Sequence, residues 1–370
     1  MKGLRPDQVI RDEIQKISAY HVQSAAGLVK LDAMENPYSL PETLRDEIAQ
    51  MLGSVELNRY PDAGAIQLKK ALRRAMKIPE EFDLLLGNGS DELLQIVINA
   101  CARPGATVLA PSPGFVMYRM YSLIADLRFV EVSVEADFSL DPDKMIAAIR
   151  EYRPSVVLIA YPNNPTGNLF SVEAMTAILE EAPGLVVVDE AYQPFAESSF
   201  LERLGKYPNL LVLRTLSKLG LAGIRLGYAV ARPEWVRELD KVRSPYNVNS
   251  LTQLVAERVL ANFDVLELQA AAIRADRATL IARMGELPKV IAYPSAANFI
   301  LVRVPDAATI FDGLKRRGIL VKNLHGSHAV LEQCLRITVG TPSENEQLLL
   351  ALSACLDDLG NGVAPKLRVG

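Results

Sequence analysis

One lysine, Lys218, lies in a segment whose composition suits covalent chemistry. The segment is TLSKLGLAGIR, residues 215–225, in which hydroxyls precede the lysine, glycines and apolar residues follow it, and Arg225 comes last. A lysine whose amine is partly deprotonated by apolar or cationic surroundings forms Schiff bases with carbonyl compounds. The alternative is a surface lysine at a strand-to-helix turn, because lysine is rarely buried without a partner. The other motifs of the chain must decide between these two interpretations.

A glycine-rich turn in LLLGNGSDELLQ, residues 84–95, has the composition of a phosphate site. Ser90 and Asp91 open a predicted helix, and the N–H groups of a helix N-terminus attract anions. Ser and Asp are also preferred N-caps, so a plain cap is the alternative. The turn lacks the GKS or GKT of a P-loop, and Glu92 occupies the third glycine position of a dinucleotide fingerprint. The motif therefore disfavours a nicotinamide dehydrogenase and leaves the phosphate of another cofactor, or no phosphate.

Two further motifs place polar residues after apolar runs. Asp189 ends the run in LVVVDEAY, residues 185–192. A carboxylate in a low-dielectric site can hold a proton on a ring nitrogen, which pyridoxal-phosphate enzymes require, although an acid here could equally cap a helix. The stretch YPNNPTG, residues 161–167, presents two asparagines before a Pro-Thr-Gly turn. Such stretches are common turn chemistry, but this one follows a predicted buried strand.

The elements that must position these motifs alternate along the chain. Uniformly apolar runs at 106–114, 155–167, 184–192, 209–218 and 224–231 are typical of strands buried on both faces. Helical patterns at 91–102 and 141–152 lie between such runs. The alternation predicts an α/β fold with a mostly parallel sheet covered by helices. Ligands bind outside the carboxyl ends of such strands, where the polar motifs fall.

The pattern changes near residue 265. A long Ala/Arg-rich helical stretch is followed by short strand-like runs within 289–304, 318–323 and 335–340 and a closing helix at 343–360. We therefore predict three parts: an N-terminal arm, residues 1–40, partly joining the small domain; a large domain, residues 41–264; and a small α+β domain, residues 265–370.

Composition restricts the classes of partner. The chain has 370 residues, is 49% hydrophobic and 23% charged, and carries a formal net charge of −4 with a pI near 5.6. This balance argues against nucleic acid or an anionic membrane as partner and favours small molecules or other protein chains. Three scattered cysteines, an N-terminus without an apolar signal region and the lack of a long apolar span indicate a cytoplasmic protein. His325 and His328, in HGSH, lack further ligands at metal spacing, so we predict no metal site.

Taken together and in this order, the motifs GNGSDE, PNNPTG, DEAY and TLSKLGLAGIR resemble those of the fold-type-I pyridoxal-phosphate aminotransferases. The resemblance covers nearly the whole chain. It extends to LDAMENPYSLP at 31–41, NRYPD at 58–62, KVRSPYNVNSLTQ at 241–253 and CLRITVG at 334–340, which favour the histidinol-phosphate aminotransferase branch. It implies a large domain with a mostly parallel seven-stranded sheet between helices, a smaller α+β domain and a homodimer.

The resemblance also implies roles for particular residues. Lys218 would hold pyridoxal 5'-phosphate as a Schiff base and later shuttle a proton as general base and acid. Asp189 would pair with the ring nitrogen. The other implied cofactor contacts are Asn164 and Tyr192 at the ring oxygen, Phe115 stacked on the ring, and Gly89, Ser90, Asp91, Thr215, Ser217 and Arg225 around the phosphate, with Tyr60 reaching it from the neighbouring subunit. Arg336 would bind the substrate anion, with help from Tyr20 of the partner's arm.

Two departures from the family pattern affect these assignments. The spacing between Lys218 and Arg225 is one residue shorter than in many relatives, and Lys322 replaces a common arginine. Lysine keeps the charge but loses the planar fork that binds anions in two places.

The implied activity is PLP-dependent transfer of an amino group between L-histidinol phosphate and 2-oxoglutarate or glutamate in histidine biosynthesis. The alternatives of the same fold are an aromatic-amino-acid aminotransferase and a threonine-phosphate decarboxylase. A non-catalytic regulatory protein that keeps the fold is a third possibility, but such a protein need not retain Lys218, Asp189, Arg225 and Asn164 together.

Overall fold

The computed structural model describes residues 4–19 and 23–361. Within them, the chain forms three sheets. The strands are β1 Val29–Lys30, β2 Asp83–Asn88, β3 Thr107–Ser112, β4 Arg128–Ser133, β5 Val156–Ala160, β6 Leu185–Asp189, β7 Leu210–Thr215, β8 Leu226–Ala231, β9 Ile291–Ala292, β10 Phe299–Arg303, β11 Ile319–Leu320, β12 Lys322–Asn323 and β13 Cys334–Thr338.

The largest sheet has seven strands in the order β2-β8-β7-β6-β5-β3-β4. All neighbours pair in parallel except β8, which runs antiparallel to both β2 and β7. Strands β5, β6 and β7 are buried at every position, as their uniformly apolar sequences require. The predicted α/β class with a mostly parallel seven-stranded sheet is confirmed.

Helices cover both faces of this sheet and continue into the C-terminal part. In the described ranges they are α1 Asp12–Gln15, α2 Glu42–Leu52, α3 Ile66–Met76, α4 Ser90–Ala100, α5 Val116–Ile124, α6 Pro142–Tyr152, α7 Val172–Glu181, α8 Pro233–Asp240, α9 Ser250–Leu260, α10 Asp264–Gly285, α11 Ala307–Arg316 and α12 Pro342–Gly360. None of them is long and apolar enough to cross a membrane.

Local sequence signals set several helix starts. The side chain of Asp141 accepts hydrogen bonds from the first turn of α6, and Pro142 takes the first helical position, where its missing N–H costs nothing. Thr341 and Glu344 form a capping box at the start of α12. Two clusters of buried side chains, rich in Leu, Val and Ile, lie on the two faces of the seven-stranded sheet, and one of them continues into the C-terminal part.

The C-terminal part has a sheet of its own, in the order β12-β13-β10-β9 with antiparallel neighbours. Strand β1 pairs in parallel with β11, so residues 29–30 are hydrogen-bonded to the C-terminal part. Helix α10 begins at Asp264, at the predicted boundary. The division at residues 40 and 264 stays a prediction.

Candidate active site

A pocket of about 100 Å³ lies at the carboxyl ends of the central parallel strands. Ala160, Asp189 and Thr215, the last residues of β5, β6 and β7, line it together. Ten of the residues singled out in the sequence line this pocket: Ser90, Asp91, Phe115, Asn164, Asp189, Tyr192, Thr215, Ser217, Lys218 and Arg225. The topology therefore gathers segments from positions 90 to 225 at one sheet edge, where α/β folds bind ligands.

Lys218 lies in a short π-helical turn, Ser217–Leu221, directly after β7. Its amine donates a hydrogen bond to the carbonyl of Ala33 at 3.2 Å and lies 5.8 Å from the ring centre of Tyr192. Burial, together with the positive charge of Arg336, lowers the pKa of Lys218 to about 8. The neutral amine is the form that attacks carbonyl carbons, so the site favours nucleophilic chemistry at this residue.

Asp189 is buried beneath the pocket. Its Oδ2 accepts a 2.8 Å hydrogen bond from the Tyr118 hydroxyl, and its Oδ1 accepts one from the Ala191 N–H at 3.1 Å. Burial raises the pKa of Asp189 to about 6, although both hydrogen bonds act to lower it. These donors are neutral, so a cation placed against the carboxylate would stabilise its charged form.

A cradle of N–H groups, hydroxyls and a guanidinium forms one end of the pocket. The Thr215 hydroxyl donates to Ser217 Oγ at 2.9 Å, and Arg225 Nη1 lies 3.4 Å from the same oxygen. Arg225 Nη2 lies 3.3 Å from Asp91 Oδ2, so the shorter spacing after Lys218 still brings Arg225 to the pocket. These groups surround the N-terminus of α4, and helix N-termini and arginines both bind phosphate.

Two glycines allow this cradle to close. Gly89 has a φ of +82°, and a Cβ at this position would lie 2.7 Å from Arg225 Nη2. A Cβ on Gly227 would lie 2.5 Å from the Ser90 backbone nitrogen. A side chain at Gly227 would therefore push β8 and the turn before α4 apart, whereas one at Gly89 would displace the Arg225 guanidinium.

Arg336 and the asparagine motif meet beside the pocket, which Asn164 lines and Arg336 does not. Arg336, on β13, donates through Nη1 to Asn164 Oδ1 at 2.6 Å and through Nη2 to the Asp32 carbonyl at 3.0 Å. The Asn164 amide in turn donates to the Tyr192 hydroxyl at 3.1 Å. The guanidinium also lies 5.5 Å from the ring centre of Phe299. A chain of polar contacts thus joins the C-terminal sheet to the pocket lining.

Gly89 and Tyr60 also lie outside the pocket lining. Gly89 borders the cradle through Arg225 rather than lining the pocket. Tyr60 is 81% exposed and stacks on Tyr246 with ring centres 4.5 Å apart, away from the pocket of its own chain. Tyr20 lies outside the described residues.

Sequence reasoning missed Met34, Tyr118, Ala160 and Ala191. Tyr118 falls one helical turn after Phe115 in PGFVMY, and this spacing was the available signal. Met34 lines the pocket with a left-handed backbone, φ +54°, and no pattern in LDAMENPY indicated it. Its N–H donates to Thr338 Oγ1 at 3.0 Å and its carbonyl accepts from Asn298 at 2.9 Å. The C-terminal part therefore holds Met34 over the pocket.

The two histidines singled out in the sequence lie apart from the pocket. His325 Nδ1 lies 2.9 Å from Glu332 Oε2, and His328 caps a short helix. Over residues 4–19 and 23–361, no group of three or more His, Cys, Asp or Glu side chains is placed to hold a metal ion.

Comparisons with known proteins agree with this geometry. A model of the family "Aminotransferase class I and II" matches residues 26–352. The chain is 54% identical over 356 residues to histidinol-phosphate aminotransferase 1 of Ralstonia nicotianae, with 95% of each chain covered. It is 55% identical over 349 residues to the Chromobacterium violaceum histidinol-phosphate aminotransferase, covering 94% of this chain and 98% of the relative. The structure is similar, with a TM-score of 0.84 and 26% identity, to histidinol-phosphate aminotransferase from Sinorhizobium meliloti in complex with pyridoxal-5'-phosphate, covering 95% and 98% of the chains.

Proposed function

The chain belongs to the aminotransferase class I and II family, and we propose that it is a pyridoxal-phosphate-dependent histidinol-phosphate aminotransferase. It would transfer an amino group between L-histidinol phosphate and 2-oxoglutarate or glutamate, in the cytoplasm, as a step of histidine biosynthesis. The observation that carries the proposal is that one pocket is lined by Lys218, Asp189 and Arg225. These residues would respectively attach the cofactor covalently, pair with its ring nitrogen and bind its phosphate. Relatives above 50% identity over nearly the whole chain support the choice of substrate.

The residues present fit pyridoxal phosphate. The buried carboxylate of Asp189, with only neutral donors among its recorded hydrogen bonds, suits the protonated nitrogen of a pyridine ring. The cradle of Ser90, Thr215, Ser217 and Arg225 supplies the donors that a phosphate needs. Asn164 and Tyr192 would bind the ring oxygen, and Phe115 would stack on the ring.

When bound, the cofactor supplies an electron sink for the carbon that carries the amino group. Lys218 would hold the cofactor covalently until substrate displaces it. The Lys218 amine would then accept and donate the proton that moves during the amino transfer. A pKa near 8 suits both directions of proton transfer at neutral pH. Asp189 would keep the ring nitrogen protonated throughout.

Arg336 would bind the anionic group of each substrate. Histidinol phosphate carries a phosphate and no α-carboxylate, whereas glutamate carries two carboxylates, so one pocket must accept both kinds of anion. A guanidinium can pair in two places with either. The hydrogen bond from Arg336 to Asn164 supports an anion site beside the proposed ring site. Lys322 is the residue paired with Arg336 in the β-sheet register and carries a second positive charge.

The proposed enzyme is a homodimer. Tyr60 and its neighbour Leu57 expose 81% and 77% of their surfaces, and Tyr246 beside Tyr60 is 42% exposed. Large apolar side chains exposed together mark interaction surfaces. We propose that this surface contacts a second copy and that Tyr60 reaches the partner's phosphate cradle, while Tyr20 contributes to the partner's substrate site.

Absorption and peptide mapping test the covalent assignment. The purified protein with pyridoxal phosphate should absorb visible light, and borohydride should fix the cofactor to the peptide that contains Lys218. A Lys218→Ala variant should show neither effect, whereas Lys322→Ala is a matched control that should keep both. Label on a different lysine, or a wild-type protein without the absorption, would contradict the proposed mechanism.

A panel of amino donors tests the substrate. Histidinol phosphate should exceed phenylalanine, tyrosine, aspartate and threonine phosphate by at least ~10-fold in kcat/KM, because each of these lacks the phosphate or the imidazole. An aromatic amino acid as the best donor would indicate the aromatic aminotransferase alternative. Release of carbon dioxide without any need for a keto acid would indicate the decarboxylase.

A further inference from the structure

Behind Asp189, on the opposite face of the seven-stranded sheet, lies a buried ion pair. Glu190 and Arg214 are joined by Nε–Oε2 and Nη2–Oε2 contacts of 2.9 Å and 2.8 Å. The Glu190 side chain is 0% exposed and that of Arg214 is 8% exposed. Isolated buried charges are strongly unfavourable, so each depends on the other.

The pair occupies a specific position in the strand order. Strands β6 and β7 are neighbours with Asp189 opposite Leu213. Successive residues of a strand point to opposite faces, so Asp189 and Thr215 line the pocket while Glu190 and Arg214 point away from it. Each member of the ion pair is therefore bonded along the chain to a residue of the proposed cofactor site.

The surroundings hold the Glu190 carboxylate from several sides. The Ser199 hydroxyl lies 3.0 Å and 2.9 Å from its two oxygens, and the Phe200 N–H donates to Oε1. Arg214 Nη2 also donates to Ser199 at 2.9 Å. A carboxylate held this firmly fixes the backbone from Asp189 to Ala191, which carries the N–H that donates to Asp189.

The pair also acts on Asp189 through charge. The negative charge of Glu190 is one of the factors that raise the pKa of Asp189, after burial and the charge of Asp91. The groups around Asp189 are Tyr118 on α5, Asp91 on α4, Glu190 and Tyr192 after β6, while Tyr228 on β8 lies beside Arg214. Arg214 is a cation next to Glu190, so it offsets the charge that Glu190 directs at the site.

We propose that the Glu190–Arg214 ion pair is a positioning element for Asp189 and that its paired charges balance the field at the ring nitrogen of the bound cofactor. This inference rests on the proposed function, since it concerns the site of pyridoxal phosphate. Removal of one charge should unbalance the field, and the sign of the effect should depend on which charge is removed. Removal of both should restore the balance.

The test measures how the visible absorption of the cofactor-bound protein changes with pH. The midpoint is the pH at which half of this change has occurred. Arg214→Gln leaves the Glu190 anion without its cation but with hydrogen bonds from the Ser199 hydroxyl and the Phe200 N–H, which favour the charged form. This anion stabilises nearby cationic forms and should raise the midpoint of the titration. Glu190→Gln leaves an unpaired cation and should lower it. We expect shifts of roughly 0.5 pH units in either direction, and a midpoint near that of the wild type in the double variant.

Two controls separate this role from a merely structural one. Arg214→Lys keeps the charge, so its midpoint should stay near that of the wild type even if its unfolding temperature falls. Arg150 and Glu181 form a bidentate pair of the same chemistry on the surface, and Arg150→Gln should leave the midpoint unchanged. If Arg214→Gln does not fold, Glu190→Gln and Arg214→Lys still test the proposal: only Glu190→Gln should shift the midpoint, and it should shift it downward.

The outcomes also distinguish the two proposals. A wild-type protein that never acquires the visible absorption would overturn the proposed function. A wild-type protein that titrates normally, together with charge variants that leave the midpoint unchanged or shift it in one common direction, would overturn only the role of the ion pair. Midpoints shifted in opposite directions, with recovery in the double variant, would support it.

Discussion

Asp189→Asn should change the stability and the activity of this protein in opposite directions. The substitution keeps the size of the side chain and removes a charge that the apoprotein holds in a buried site. Tyr118 can accept a hydrogen bond as well as donate one, so its hydroxyl can serve an asparagine amide. We expect the variant without cofactor to be more stable than the wild type at pH 8, and the variant with cofactor to be far less active.

The pKa of Asp189 gives the magnitude. Burial raises this pKa from 3.8 to about 6 in the folded protein. Between these values the folded state binds more protons than the unfolded state, so stability falls as the pH rises through about 4 to 6 and is constant above. A pKa that is higher by about two in the folded state than in the unfolded state corresponds to ~3 kcal/mol of unfolding free energy. Asparagine lacks this penalty, so its advantage should be ~3 kcal/mol at pH 8 and should vanish near pH 4.

Cofactor binding should reverse the comparison. The proposed cation on the ring nitrogen pairs with the carboxylate of the wild type and recovers the same free energy on binding. The variant cannot recover it, so its dissociation constant for pyridoxal phosphate should rise by about 100-fold. Loss of the ring proton should also lower turnover by on the order of a thousand-fold.

Denaturant unfolding of the apoproteins at pH 4, 6 and 8 measures the stability effect, and titration with pyridoxal phosphate measures affinity. Glu190→Gln provides a comparison in which a neighbouring charge is removed without removing Asp189 itself. An Asp189→Asn apoprotein that gains no stability at pH 8, or gains the same amount at pH 4, would show that burial does not raise the pKa of Asp189. Near-normal turnover would refute its role at the ring.

Three further predictions concern other parts of the site. Arg336→Ala should impair both half-reactions, each by roughly 2–5 kcal/mol of transition-state stabilisation, because it leaves a buried anion unpaired. Single-turnover kinetics with each substrate measure this effect, and loss of one half-reaction alone would contradict a shared site. Mixing inactive Tyr60→Ala and Lys218→Ala variants should restore activity in hybrid dimers; confirmed subunit exchange without recovery would place Tyr60 in the site of its own chain. Gly89→Ala should weaken cofactor binding, since its Cβ would lie 2.7 Å from an Arg225 nitrogen; equilibrium dialysis would measure this, and unchanged affinity would show that the cradle can relax.

Much of the fold follows from local sequence. The uniform apolar runs of β5, β6 and β7 identify buried strands without ambiguity, because few other structures require such runs. Strand β4 was missed, since its burial is partial and its charged residues hide the pattern. The predicted strand at 318–323 is split into two short strands that belong to different sheets, which depends on tertiary pairing rather than on composition.

In the site, too, some residues are identified by local sequence and others only by tertiary packing. Lys218, Asp189 and Ser90 follow apolar runs directly, so the rule that ligands bind at strand ends identifies them. Tyr118 touches Asp189 because a helix turns its hydroxyl beneath the pocket, and only three-dimensional packing decides this. Met34 enters the pocket through hydrogen bonds to Thr338 and Asn298, about 300 residues away in the chain. Contacts of that sequence separation leave no trace in one sequence.

The distribution of the site along the chain has a consequence for synthesis on the ribosome. The pocket lining comes from residues 34–225, and the seven-stranded sheet is complete at Ala231. Arg336, which would bind the substrate anion, follows more than a hundred residues later. A nascent chain thus presents the groups proposed to hold the cofactor well before the arginine proposed to hold the substrate. The residues proposed to hold the cofactor are therefore synthesised first, but Met34 can take its place over the pocket only after Asn298 and Thr338 have followed.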